Sequence, residues 1–252
     1  MKFLRNENPK VKFVCSMDSV KNVMPIIKSS KCPRPWLKKI SSKNIDEQGF
    51  DRSTLRCPGI AGVIKDGYIL RAWTDITIEL LVDGNYTWKV PHHMTGVNGT
   101  PMDVLSWHDH KNLYSHLDNL PKHSFSKLLK LGTPWFVHVP KGYKLLQLPA
   151  MYVDENRFTP YPGHLEDNLG LQGISVPLIF HEKVGTYVIE AGTPLCQFIP
   201  IKVEDNPELV NTSFEDEPMY KKMYNDKIML EYGTWKRSYS KIKKYWNQTC
   251  YK

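Results

Sequence analysis

The sequence predicts a mainly β protein: an antiparallel sandwich or barrel over residues 61–204, with an irregular N-terminal arm (1–60) and a C-terminal helical segment (205–252) packed on it as one structural unit. Three observations predict this. Short runs in which β-branched and aromatic residues alternate with polar ones recur at roughly ten-residue spacing, as in sandwiches and barrels. Turns rich in Gly and Pro separate them. No strand–helix–strand alternation is present, which excludes a parallel Rossmann-type sheet.

The arm opens with one strand, Val11–Ser16, and then becomes irregular. Cys32-Pro-Arg-Pro-Trp36 reads as extended, because a residue before proline avoids the helical region. Trp36 with Leu37–Ile40 suits a short helical turn that plugs the indole into a core. In the body, Tyr68-Ile-Leu-Arg-Ala-Trp73 and Thr74-Asp-Ile-Thr-Ile-Glu79 alternate as half-buried strands do. Asp83-Gly-Asn85 tolerates the positive φ of a tight turn, and Tyr86-Thr-Trp-Lys-Val90 returns as the partner strand. Residues 91–133 form a polar, histidine-rich bridge with a short amphipathic piece at Ser124–Leu131. The β signal resumes at Pro134–Val139, turns at Pro140-Lys-Gly142 and continues through Tyr143–Leu148. Ile174–Glu182, Gly185–Ile189 and Leu195–Val203 complete the series, the last entered through Ala191-Gly-Thr-Pro194. Beyond it, Met219, Met223, Ile228, Tyr232, Trp235, Tyr239, Ile242 and Trp246 fall near helical spacing, and Gly233 divides them into two helices.

With 252 residues, 41% hydrophobic and 24% charged, the chain has a globular composition and buries enough surface to fold without disulfides. Apolar runs such as Ile76–Val82 fall far short of the roughly 20 residues of a membrane helix, and the N-terminus lacks the apolar stretch of a secretory signal. No membrane partner is expected, and the expected location is a host cytoplasm or a virion. Five cysteines (Cys15, Cys32, Cys57, Cys196, Cys250), never spaced CxxC, read as buried reduced thiols.

Charge is segregated. Residues 1–60 carry 13 Lys/Arg against 5 Asp/Glu, residues 220–252 carry 9 against 2, and residues 61–219 carry 12 against 19. An acidic body thus has two basic ends. Either the ends dock on the body and neutralise it, or they meet a polyanion or an acidic partner surface. The stripe Lys236, Arg237, Lys241, Lys243 and Lys244, interleaved with Trp235, Tyr239, Tyr245 and Trp246, has the ingredients of such an interface. In it the lysines are expected to face out while Trp235 and Trp246 anchor the segment.

His108-Asp-His110 places two imidazoles on one side of an extended strand, as a cupin-type metal site requires, and His164 is a possible third ligand. A cupin pattern continues with a glutamate, whereas residues 112–117 read Asn-Leu-Tyr-Ser-His-Leu. The expectation is therefore no metal and no cofactor, with these three histidines as the candidates. GxSxG, SxxK and Gly-rich phosphate loops are absent, so no catalytic residue is assigned.

Pro140-Lys-Gly-Tyr143, Gly163-His-Leu-Glu-Asp167, Gly173-Ile-Ser-Val176 and Ile189-Glu-Ala-Gly-Thr-Pro-Leu-Cys-Gln197 resemble the frame of a trimeric dUTPase over residues 134–203. Gly192, Leu195 and Gln197 match that family's last motif. The resemblance implies a dUTPase-like or jelly-roll-like barrel. It does not imply the activity: the serine-rich phosphate motif is replaced by Leu148-Pro-Ala-Met-Tyr152, and the aspartate-arginine of the last motif by Thr193-Pro194. Over residues 30–205, Arg56-Cys-Pro-Gly59, Gly67-Tyr-Ile-Leu70, Pro134-Trp135 and Gly192–Pro200 resemble a protein family of tailed phages of marine bacteria, which implies a viral context.

The expected function is a non-enzymatic, phage-encoded β protein with a structural or interaction role. Its basic ends would meet a virion or host protein, or a polyanion, and an oligomer is compatible with this. The alternative is a small-molecule pocket for a nucleotide or metal in a diverged dUTPase-like or cupin-like barrel.

Overall fold

The computed structural model describes residues 9–40, 53, 57–91, 103–108, 124–166, 170–203, 211–213, 216–222 and 224–225. Its strands in chain order are β1 (Lys12–Cys15), β2 (Ile27–Lys28), β3 (Tyr68–Arg71), β4 (Ile76–Leu80), β5 (Tyr86–Lys89) and β6 (Leu105–His108). They continue with β7 (Leu128–His138), β8 (Tyr143–Leu148), β9 (Phe158–Pro160), β10 (Gly163–Glu166), β11 (Leu171–Phe180), β12 (Gly185–Ile189) and β13 (Pro194–Lys202). Two short helices, α1 (Asp18–Val23) and α2 (Pro58–Lys65), lie among them. Met1–Ser42 and Thr54–Glu204 form one compact unit, and Lys43–Ser53 and Asp205–Lys252 a second.

Among the described residues all strand pairings are antiparallel and make three sheets, so the chain is mainly β, consistent with a sandwich or barrel. In the first sheet the order is β1-β7-β11-β9, with β6 also on β7. β11 occupies one edge of β7 along its length, so β1 and β6 share the other: β1 pairs with residues 135–138 and β6 with 128–131. The second sheet runs β10-β8-β13-β3-β2, and the third β12-β4-β5. Period-two alternation aims one face of each strand inward. Leu129, Leu131, Trp135 and Val137 from β7 meet Leu70, Leu145 and Phe198 from the second sheet and Ile76, Ile78 and Ile189 from the third in one core. Each such side chain contributes roughly 1.5–3 kcal/mol when fully buried.

The N-terminal arm is more regular than its prolines suggest. β1 lies within the expected Val11–Ser16 and turns Phe13 inward, 5.9 Å from Phe198 and 5.5 Å from Tyr68 between ring centroids. β2 adds an edge to β3. Trp36 sits in a single 3₁₀ turn, Pro35–Lys38, half-buried, and docks on Tyr152 rather than in the core. The expected amphipathic piece at Ser124–Leu131 is instead the entry into β7, whose Leu128 packs with Ile179 in a satellite cluster. Cys32 and Cys196 are buried thiols as expected, whereas Cys57 is exposed at the start of α2. In the C-terminal segment residues 218–222 are helical; Trp235, Trp246 and the rest of the stripe lie outside the described residues. Among the described residues no helix is long and apolar enough to cross a membrane.

Candidate functional site

Among the described residues polar chemistry gathers at several places, and the first is the turn after β8. Tyr152 sits there at φ 57°, the left-handed region that costs a non-glycine residue roughly 1–2 kcal/mol. The surrounding bonds hold it. Arg34, 5% exposed, donates from Nε to the Met151 carbonyl at 3.1 Å and from a terminal nitrogen to the Ser29 carbonyl at 2.7 Å. Its other terminal nitrogen reaches Ser29 Oγ at 3.1 Å. Gln197, wholly buried, accepts from the Met151 N–H at 3.2 Å and donates to the carbonyls of Val63 at 2.9 Å and Asp66 at 2.7 Å. The Trp36 indole N–H donates to the Tyr152 carbonyl at 2.7 Å, with the two rings 6.1 Å apart. This is the turn that stands where the dUTPase resemblance has its phosphate motif. Its backbone groups at 151 and 152 are bound by the chain's own arm and by Gln197. The adjacent cavity, about 80 Å³ and lined by Pro149, Ala150, Glu155 and Thr159 among others, falls below the roughly 300–1,000 Å³ of a ligand pocket.

The second place is a depression of about 400 Å³ on the outer face of the first sheet, beside the stretch of β7 between its pairings with β1 and β6. Because Leu129 and Leu131 point into the core, Lys130 and Gly132 face outward. They line the depression together with Phe136, Asp103 and the hydroxyl residues Ser16, Ser106, Thr133 and Ser175. The β7–β11 register shifts between Gly173 and Ser175, and this bulge bends the sheet at the depression.

The third place is the surface of the arm. Lys10, Lys12, Lys21, Lys28, Lys31, Lys38 and Lys39 are all exposed. Asp18 is the single acid in residues 9–40, and it pairs with Lys21 at 3.5 Å, both side chains well exposed. Lys236, Arg237, Lys241, Lys243 and Lys244 lie outside the described residues.

The histidine candidates fall on different sheets. His164 is on β10 in the second sheet, its Nε2 2.9 Å from Glu166 Oε1. Glu166 also pairs with Lys144 at 3.1 Å; Lys144 first, then His164, holds its carboxyl below the usual range. His108 is on β6 in the first sheet, and His110 lies outside the described residues. Among the described residues no three His, Cys, Asp or Glu side chains gather as metal ligands do. Both ring nitrogens of His181 are engaged: Nδ1 donates to the Asn156 carbonyl at 2.6 Å, and Nε2 accepts from the Thr159 hydroxyl at 2.8 Å. Since a carbonyl only accepts, that tautomer follows. The bonds clasp the end of β11 to β9.

Sequence reasoning singled out Gln197 through the resemblance but assigned it no partner. It assigned nothing to Arg34, which sits inside a Pro-Arg-Pro run that reads only as an extended segment.

No family model matches the chain, and no curated protein matches it. Among solved structures, a mutant dUTPase from phage phi11 of S. aureus is similar over 59% of this chain and 84% of its own, at 11% identity and a TM-score of 0.31. A mutant dUTPase of Staphylococcus bacteriophage 80alpha with dUpNHpp is similar over 58% and 85%, at 13% identity and a TM-score of 0.30. Likenesses of that size carry no argument about chemistry; the fold rests on the chain's own strand pairing.

Proposed function

We propose that this chain is a non-enzymatic, phage-encoded β protein that attaches to a polyanionic virion or host component through its basic ends. The observation that carries this reading is the arm surface, on which seven exposed lysines stand against one acid. Lys236, Arg237, Lys241, Lys243 and Lys244 extend the same chemistry at the other end. The non-enzymatic part is supported by the turn at 149–152, which carries no serine and whose Met151 N–H is already donated to Gln197 in place of a phosphate. The viral part is supported by the sequence features shared with the tailed-phage family.

The test is fluorescence anisotropy of the full chain with labelled duplex DNA and with heparin at 50 and 200 mM salt. If about four phosphates are neutralised, affinity falls roughly a hundredfold between these salts. Lys243→Glu with Lys244→Glu, and separately Lys31→Glu with Lys38→Glu, should weaken binding further. Absent or salt-independent binding overturns the attachment, and release of pyrophosphate from dUTP overturns the non-enzymatic part.

A further inference from the structure

Two glycines, Gly132 and Gly173, line the depression on the outer face of the first sheet, and the first is sterically required. At Gly132 a Cβ would lie 2.7 Å from the Asp103 carbonyl oxygen, so the backbone entering β6 crosses β7 where no side chain fits. The Gly132 N–H donates to the Val104 carbonyl at 2.9 Å and fixes that crossing. At Gly173 a Cβ would lie 3.7 Å from Phe136 Cε1 and 3.9 Å from Cδ1, so the half-buried Phe136 ring runs along bare backbone. Pro134 adds no donor of its own, and its carbonyl accepts from the Ser16 N–H at 2.9 Å and hydroxyl at 3.2 Å. The result is a recess of about 400 Å³ with an aromatic wall, inside the usual size range of ligand pockets.

We propose that this recess binds a neutral saccharide, one ring seated against Phe136 and its hydroxyls shared among Asp103, Lys130 and the hydroxyls of Ser106 and Ser175. The chemistry of the lining selects the class. One carboxylate and one ammonium leave the site neutral overall, and Asp103 disfavours a phosphate beside Lys130. A purely apolar ligand would strip water from the charges and hydroxyls without replacing their hydrogen bonds. A pyranose ring satisfies both halves. Its hydroxyls donate to the carboxylate and accept from the ammonium, and its C–H face lies on the aromatic ring. The recess is open to solvent, which leaves room for a longer glycan to continue past it.

The test is saturation-transfer NMR and calorimetry on the full chain with maltotriose, N,N′-diacetylchitobiose, mannose and galactose, alongside UMP and inorganic phosphate. At least one saccharide should bind, and Phe136→Ala and Asp103→Asn should each weaken it about tenfold, the order expected when one well-placed contact is lost. Thermal unfolding of each variant establishes that it folds; Ser106→Ala, a small change at the rim, supplies a further arm if Phe136→Ala does not. Binding of none of the four saccharides, undiminished binding in the folded variants, or tighter binding of UMP or phosphate through Lys130 overturns the proposal.

Discussion

Arg34 donates from Nε to the carbonyl of Met151, 117 residues further along the chain, at 3.1 Å. The guanidinium is almost wholly buried, and its described acceptors are backbone carbonyls and one hydroxyl. Dipoles, in place of a carboxylate, solvate the charge. The arm is thereby bonded to the turn after β8, and through Met151 to Gln197 and α2.

Arg34→Ala should destabilise the fold by about 2–4 kcal/mol, because it strands buried carbonyls that the guanidinium now satisfies. Arg34→Lys should recover little, since a lysine has no planar fork to reach 29 and 151 together. Urea unfolding of the three proteins measures both. A loss in Arg34→Ala below about 1 kcal/mol would mean that water replaces the side chain.

Gln197→Glu replaces an amide donor with a carboxylate aimed at the carbonyls of Val63 and Asp66. Burial and those two oxygens raise the new group's folded pKa above its unfolded value of about 4.3. The native state then binds more protons than the unfolded one, so stability falls as pH rises through and above 4.3, until the folded pKa is passed. The variant should be closest to the parent at pH 4 and weaker by about 3 kcal/mol or more at pH 7. Denaturant midpoints across pH 4–8 check the sign; a variant that gains on the parent as pH rises contradicts it.

The sheet architecture was legible wherever alternation and turn chemistry agreed. Asp83-Gly-Asn85 marks the β4–β5 hairpin, with Gly84 at φ 78°, and β8 and β12 fall on their expected residues. Elements broken by local composition were not legible. α2 reads Pro-Gly-Ile-Ala-Gly-Val-Ile-Lys, and its two glycines and proline mask a helical period. β6 hides in the histidine-rich bridge because it is only four residues long and contributes mainly Leu105 to the core. The Arg34–Met151–Gln197 network and the outer-face recess were invisible for another reason. Each depends on residues separated by dozens of positions, and on two short strands sharing one edge of β7, which no local pattern records.

Arg157 ties the strand ends near β9 and β12. Its Nε and one terminal nitrogen chelate Glu155 at 2.9 and 2.7 Å, and the other terminal nitrogen reaches Glu190 at 2.9 Å and the Val188 carbonyl. Glu155, 10% exposed by side chain, makes the pair a shielded one, whereas Glu190 is 63% exposed and screened. Arg157→Ala should therefore cost about 1–3 kcal/mol, largely retained in 0.5 M salt. Glu190→Gln should act mainly at acid pH. Its own backbone N–H first, then Arg157, hold the Glu190 pKa below the ordinary carboxylate value. That contribution is present above about pH 4.5 and lost as pH falls through the lowered folded value, so the variant's acid limb should be shallower. Melting curves from pH 3 to 7 at two salt concentrations read both effects.

Gly67 and Gly142 both adopt left-handed backbone, at φ 74° and 80°, yet their replacement should differ sharply. Gly142 closes the turn between β7 and β8 with nothing within 4 Å of where a methyl group would sit, so Gly142→Ala meets only the backbone preference, about 1–2 kcal/mol. At Gly67, between α2 and β3, the same methyl would lie 1.9 Å from the Phe198 carbonyl oxygen. That atom belongs to β13, the centre of the second sheet, and moving it disturbs pairing with both β3 and β8. The Gly67 carbonyl also accepts from the N–H of Ser29 at 2.9 Å, so a shift there loosens the arm as well. Gly67→Ala should cost about 3 kcal/mol or more and expose the arm to protease, while Gly142→Ala leaves the digestion pattern unchanged. Equal melting temperatures for the two variants would show that β13 yields at Phe198 without loss.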